Sequence, residues 1–459
     1  MSKIWAVAIN TVRQALRLKI AAVFIVLLLV LLPVMGFKVT GDGTLKGRLQ
    51  TFISYGLSLT TLLLCLLTIV GSIYTLTSDV KQMQIFTVLT KPVRRFQLIL
   101  GKFLGIILLD VLLLGLFSAI IYAIVVNMPG FVKADDTELA RADNEFFTAR
   151  AGLMPQQADV SKDVDSAYEK LRQNGELPAD LEGSRIAVKN YKNELARRIQ
   201  LSKRAAAVGQ ELLWEFNNVK ITDPNQKLFI RFKYDVSVNP SDLQVYSSWI
   251  AGDDRQIKLG TGVKTPIYQF DRRDLIRTAR EIEVPADAVA DDGYIAVGFF
   301  NPPLNDTVII FPPEDGLEIL YKADTFTANF LRGVLLVLIR LVFLAAMGVL
   351  AGSFLSFPVA LLLSLAVFFT ANISGFIIES FEYVGKGVSD IYNVGFKTLL
   401  QLLPQFDKFS TTTFLVPGRL LSWTVLAELV LSTVCLKAVL LLLLALLIFH
   451  YREIAKVTV

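Results

Sequence analysis

The sequence predicts a polytopic α-helical membrane protein of six spans, with a large α+β insert between spans three and four. Three observations carry the prediction. Of 459 residues, 53% are hydrophobic and only 19% charged, with a mean hydropathy of +0.53, the balance of a multi-pass membrane protein rather than a large soluble enzyme. The charges avoid a few long runs, each within or above the about 17–25 apolar residues that cross a bilayer core. Between the third and fourth runs, residues 133 to 322 return to ordinary polarity and are numerous enough to bury a core of their own.

Residues 20 to 37 (IAAVFIVLLLVLLPVMGF) and 49 to 78 hold no charged side chain, 103 to 132 hold only Asp110, and 333 to 378 hold only Arg340. The last run is too long for one helix and is broken at GSFLSFP (352 to 358), which predicts two spans joined by a tight turn. Residues 429 to 450 supply the sixth span. The N-terminus imitates a signal peptide, with Lys3, Arg13, Arg17 and Lys19 ahead of an apolar core. No small-x-small cleavage site follows Phe37, so this segment is expected to stay as the first span. Eleven Lys and Arg lie in segments 1 to 19, 79 to 102 and 451 to 459, against seven in 38 to 48 and 379 to 419. The richer side is expected to be the cytoplasm. Both termini are then expected on the cytosolic side of the cytoplasmic (inner) membrane, and residues 133 to 322 on its outer side.

The insert has two periods. From 133 to 225 the pattern is helical, with Val188, Tyr191, Leu195 and Ile199 recurring on a background of Lys, Arg, Glu and Ala, which predicts a stalk or hairpin. From 226 to 325 the period becomes two, clearest in KLFIRFKYD (227 to 235). LQVYSSW (243 to 249), YIAVGFF (294 to 300), TVIIF (307 to 311) and LEILY (317 to 321) follow, separated by Asp, Pro and Gly clusters. Short strands with such turns predict a β-sandwich. The remaining regions are the first three spans in 1 to 132 and spans four to six in 326 to 459, with a re-entrant region about 379 to 424.

Enzyme chemistry finds little footing, and the chain is expected not to be an enzyme. The one histidine, His450, falls at the end of the last span, and no HExxH, GxSxG or paired-cysteine signature occurs. Cys65 and Cys435 both fall in spans, where packing explains them. GTGVKT (260 to 265) lacks the GxxxxGK[ST] spacing that wraps a phosphate, and a turn between strands accounts for it. The pairs Asp135/Asp136, Asp253/Asp254 and Asp291/Asp292 stand in turn-like contexts and read as solvated loops. No metal site, no cofactor bound by this chain and no nucleic-acid partner is expected.

The distinctive stretch is SDVKQMQIFTVLTKPVRRFQLILGKFLG, residues 78 to 105. An acidic residue, Asp79, follows the second span. An amphipathic piece carries Ile85, Val88 and Leu89, and Lys91, Pro92, Arg94 and Arg95 lead into Gly101 and Lys102 at the opening of the third span. Pro92 ends a short helix and turns the chain, because it cannot donate to the preceding turn. The plainer reading takes the cations as anchors on lipid phosphates, and it suits Lys102 best. The amphipathic piece is longer than an anchor needs. With its surroundings this stretch resembles the type-two family of ATP-binding-cassette exporter permeases, above all the branch related to the nitrous-oxide-reductase maturation and gliding-motility permeases. LLPQFDKF (402 to 409) looks like the family's segment after the fifth span.

The resemblance implies that residues 78 to 96 form a coupling helix seated on a separate cytosolic ATPase. It also implies that the chain works as a dimer with a second permease copy or homologue among membrane lipids, with ATP used by the partner ATPase. The chain departs from the family in having Asp79 where Glu is usual, Lys81 and Gln84 at positions often acidic or arginine, and so large an insert. The expected function is a permease subunit coupling ATP hydrolysis to export or to movement of the exterior domain. The alternative is a membrane-anchored binding or sensory protein without transport. Asp110 and Arg340 fall roughly 14 and 18 Å from the inner boundary at 1.5 Å per residue. An ion pair between them is the expected resolution of two charges in apolar spans.

Overall fold

The computed structural model describes residues 2–81, 94–132, 134–156, 159–178, 185–221, 227–256, 265–313, 315–382, 400 and 402–451. The chain divides into two compact units, one of Met1–Ala149 with Asp324–Val459 and one of Arg150–Ala323.

The first unit is helical. It contains α1 (Ser2–Leu16), α2 (Lys19–Lys38), α3 (Leu45–Lys81), α4 (Arg95–Phe131) and α5 (Asp136–Glu145), and, after the second unit, α8 (Phe326–Phe354), α9 (Phe357–Glu382) and the short α10 (Thr411–Leu415). The final rod runs as α11 (Trp423–Leu429), a wider i to i+5 turn over Val430–Ala438, and α12 (Val439–Tyr451). Among the described residues six helices are long and apolar enough to cross a membrane, namely α2, α3, α4, α8, α9 and the rod Trp423–Tyr451, the build of a multi-pass membrane protein. Burial separates them: 67% of the apolar window is buried in α3 and in α8, but 17% in α2 and 22% in the final rod. The former are therefore the centre of the bundle and the latter its apolar rim. The break between α8 and α9 falls at Leu355 and Ser356, where Pro358 opens the next helix in its first turn.

Small residues let the helices approach. A Cβ on Gly101 would stand 2.6 Å from the Val7 Cβ, and one on Gly105 would stand 2.6 Å from the Ala8 carbonyl oxygen. The GKFLG stretch is therefore a small-xxx-small seat for α1 on α4. Gly348 and Gly352 do the same for α8, lying against Ser72 and Ile73 of α3.

Helix α5 belongs to this unit rather than to the insert, whose beginning the sequence pattern had placed at residue 133. Phe146, just after it, is fully buried and packs 5.4 Å from the ring of Phe326, and Lys46 pairs with Glu145. An apolar side chain in the membrane unit's core ties the polar helix there.

The second unit holds α6 (Ser161–Gln173), α7 (Arg185–Ser202) and a strand-rich module. Its strands are β1 (Thr148–Leu153), β2 (Ala205–Ala206), β3 (Glu211–Phe216), β4 (Lys227–Phe232), β5 (Asp235–Val236), β6 (Gln244–Gly252), β7 (Tyr268–Leu275), β8 (Arg280–Pro285), β9 (Ile295–Phe300), β10 (Ile309–Ile310) and β11 (Leu317–Thr325). They form sheets ordered β1-β11-β4-β8, β2-β10-β5 and β3-β9-β6-β7. In the first, Ile230 lies opposite Ile319 and Ile282; in the third, Phe299 lies opposite Leu212 and Trp249. The inward side chains of β4, β6 and β9 meet in an aromatic centre. Trp249 is fully buried, 4.6 Å from Phe232 and 4.9 Å from Phe299, and Phe311 closes the group 4.8 Å from Phe299.

The helical reading of 133 to 225 is corrected at β1, β2 and β3. Within that range α6 and α7 do form the apolar seam, through Val160, Val164 and Leu195 with Tyr168 and Tyr191. ELLWEF over β3 is not legible as a strand because Leu213 stands on its exposed face, so the strict alternation of burial is not matched by an apolar–polar alternation of residues.

Candidate functional site

The polar cluster that organises the membrane unit lies where α3 ends and α4 begins. Asp79 stands in the last turn of α3, Lys102 in the second turn of α4, and Gln14 near the end of α1. The Lys102 side chain is 2% exposed and forms an ion pair with Asp79. Its Nζ also donates to the Thr75 carbonyl oxygen at 2.6 Å and to Gln14 Oε1 at 3.1 Å. Gln14 Nε2 in turn donates to Asp79 Oδ1 at 3.0 Å. An ammonium has three donors, and all three are met. The ring Lys102–Asp79–Gln14 thus ties three helices with no donor of the ammonium unspent. Lys102 is accordingly not a lipid-facing anchor: the close seat of α1 on Gly101 and Gly105 covers it.

Arg95, two turns before Lys102, reaches another helix end. Its Nη1 donates to the carbonyl oxygens of His450 at 2.7 Å and Phe449 at 3.3 Å. These are last-turn carbonyls of the final rod, where a cation also meets the negative end of the helix dipole. Arg94 is exposed and precedes α4, its backbone N–H donating to Gln97 Oε1 at 3.0 Å.

Of the residues expected to couple to an ATPase, Asp79, Arg94 and Arg95 are therefore placed. Ile85, Val88, Leu89, Lys91 and Pro92 lie outside the described residues. Asp79 is turned inward to Lys102. Gln14 and Thr75 were missed by sequence reasoning. A glutamine on a basic amphipathic helix and a threonine in an apolar run carry no local signal of an ion pair's third corner.

The expected pair of Asp110 with Arg340 is not made. Asp110 accepts from the Thr68 hydroxyl of α3 at 2.8 Å. Arg340 donates from Nη2 to the Phe406 carbonyl oxygen at 2.7 Å and lies 4.7 Å over the Phe406 ring. Matching depth along two helices does not fix the direction each side chain faces. Here α4 presents Asp110 to α3, and α8 presents Arg340 to the segment 402–409. That segment enters α9 itself. The Phe406 N–H donates to the Ala371 carbonyl oxygen at 2.9 Å, and Asp407 accepts from the N–H groups of Gly375 at 3.1 Å and Phe376 at 2.8 Å.

In the second unit the acidic pairs are partly engaged. Arg255 bonds both Asp253 and Asp292 and lies 3.9 Å over the Tyr294 ring. Its side-chain hydrogen bonds are the largest cause holding the carboxyls of Asp253 and Asp292 below the ordinary range. Among the described residues, no group of three or more His, Cys, Asp or Glu is arranged to hold a metal ion. No family model matches the chain, and neither does a curated protein or a solved structure.

Proposed function

We propose that the chain is the non-catalytic membrane subunit of an ATP-driven transport system of the ATP-binding-cassette type, working as a dimer with ATPases encoded elsewhere. In this reading residues 78 to 96 face the cytosol with both termini, and the strand-rich unit lies outside the cytoplasmic membrane. The observation that best supports it is the brace around that segment. Asp79 on the incoming helix and Lys102 on the outgoing helix are locked through Gln14 to α1, while Arg95 ties α4 to the end of the final rod. A push delivered between them would be carried into four helices at once instead of being absorbed at a slack junction. The resemblance of residues 78 to 105 supplies the source of such a push. The wild-type chain, purified in mild detergent from its own membranes, is expected to bring an ATP-hydrolysing subunit bearing a GxxxxGK[ST] loop. Val88→Asp places a charge on the apolar anchor and is expected to release that subunit while leaving membrane insertion intact. Wild-type chain that purifies without any ATPase, or full recovery of the ATPase with Val88→Asp, refutes the reading.

A further inference from the structure

Arg340 stands at the middle of α8, about 21 Å from either end at 1.5 Å per residue, and lines two cavities of the membrane unit. One, of about 240 Å³, is polar: Ser58 and Thr61 of α3, Asn372 of α9, and Ser410 and Thr412 share it with the guanidinium. The other, of about 170 Å³, is mostly apolar, with Ile339, Phe406 and Phe409 beside Lys437. Among the described residues no carboxylate lines either.

Among the described residues the one hydrogen bond of Arg340 is that to the Phe406 carbonyl oxygen, which uses one of five guanidinium donors. Asp407 is the neighbouring carboxylate in sequence, but it is occupied by the amides of Gly375 and Phe376 and forms no ion pair with Arg340. Ser58 and Thr61 have hydroxyls without a partner among the described residues. The Asn372 amide nitrogen is already spent on the Phe368 carbonyl oxygen. A cation at mid-span costs at least about 2.5 kcal/mol unless it is compensated, and among the described residues no carboxylate forms an ion pair with it, Asp407 acting on it only from a distance. Ser410 and Thr412 bond each other at 2.8 Å, so the donors left to this cavity are the guanidinium and the hydroxyls of Ser58 and Thr61, in a space far larger than the about 10–15 Å³ that one water needs.

We infer that Arg340, Ser58 and Thr61 form an oxyanion-binding site within the membrane unit. It takes a phosphate or carboxylate group carried either by a lipid head or by a free anion. The guanidinium fork matches two oxygens of such a group, and the two hydroxyls of α3, one turn apart, donate to the rest. A cationic ligand is opposed by Arg340, and a neutral one leaves it without an ion pair. The assignment concerns this chain alone and needs no ATPase.

The test uses the full chain in nanodiscs of phosphatidylcholine, titrated separately with phosphatidylglycerol and with inorganic phosphate, and follows the thermal unfolding midpoint, which a ligand of the folded state raises. Wild-type protein is expected to respond to at least one probe. Arg340→Gln is expected to bind that probe about ten- to hundredfold more weakly, the range for losing hydrogen bonds to a charged group. A response to phosphatidylglycerol alone assigns the oxyanion to a lipid head, and a response to inorganic phosphate assigns it to a free ion; either upholds the site. Ser58→Ala/Thr61→Val leaves the Arg340 bond to Phe406 intact and is expected to lose several-fold, about 1 kcal/mol of hydrogen bonding. It decides the matter should Arg340→Gln fail to fold. No response to either probe, or unchanged affinity in the variant that folds, overturns the site.

Discussion

Replacing Lys102 by Met leaves Asp79 buried with its charge uncompensated, and this is the sharpest perturbation the membrane unit offers. The Asp79 side chain is 11% exposed and its two oxygens are held by Lys102 and Gln14. Lys102→Met removes the cation from one oxygen, and Gln14 cannot neutralise what remains. Breaking a buried pair from one side costs about 3–5 kcal/mol. Asp79→Leu strands the ammonium in the same way and is expected to fall in the same range. The double variant Asp79→Leu/Lys102→Met leaves no buried charge. It is expected to recover most of the loss, because a buried ion pair is nearly neutral against apolar residues of similar volume. Gln14→Leu removes one acceptor from the ammonium and one donor from the carboxylate, for about 1–3 kcal/mol. The assay is a double-mutant cycle on the detergent-solubilised full chain, with unfolding followed by tryptophan fluorescence in denaturant. Single variants within about 1 kcal/mol of wild type, where surface pairs lie, would refute the brace, as would a double variant no better than its worse parent.

Arg95→Ala uncovers the last carbonyls of the final rod and is expected to cost about 0.5–2 kcal/mol, with faster proteolysis near Tyr451 as the measurement; Arg95→Lys should restore part. Residues 150 to 323 expressed alone are expected to be soluble, with helix and strand both visible by circular dichroism, and a random-coil spectrum would count against an independent core. In that fragment Trp249→Ala empties the aromatic centre between Phe232, Phe299 and Phe311. It should cost about 3–5 kcal/mol in urea unfolding. Asp253 and Asp292 have folded carboxyl values lowered by Arg255. Their contribution to stability is therefore present above the unfolded value of about 3.9 and lost as pH falls through the lowered folded values. Arg255→Gln should flatten that acid limb of the unfolding midpoint, and an unchanged limb would show that other carboxylates set it.

The six apolar helices and the strands of KLFIRFKYD and YIAVGFF are legible in the residues alone. Each is decided by a local rule: long apolar runs with at most one charge apiece for the first, alternation against a core for the second. The residues alone do not reveal β7 and β8, because YQFDRRDL alternates without a strong apolar face and REIEVP buries deeply only Ile282 and Val284. Where the charges go is set by packing between distant helices. Lys102 is one of many cations near a membrane boundary until α1 packs on Gly101 and Gly105 and brings Gln14, 88 residues earlier, within 3.1 Å. Arg340 and Asp110 share a depth that can be counted along the chain, but the rotation of each helix is set by its neighbours. One therefore meets Phe406 and the other Thr68. A hydrophobic run records how one residue meets water or lipid, whereas an ion pair depends on which distant helix face packing brings alongside.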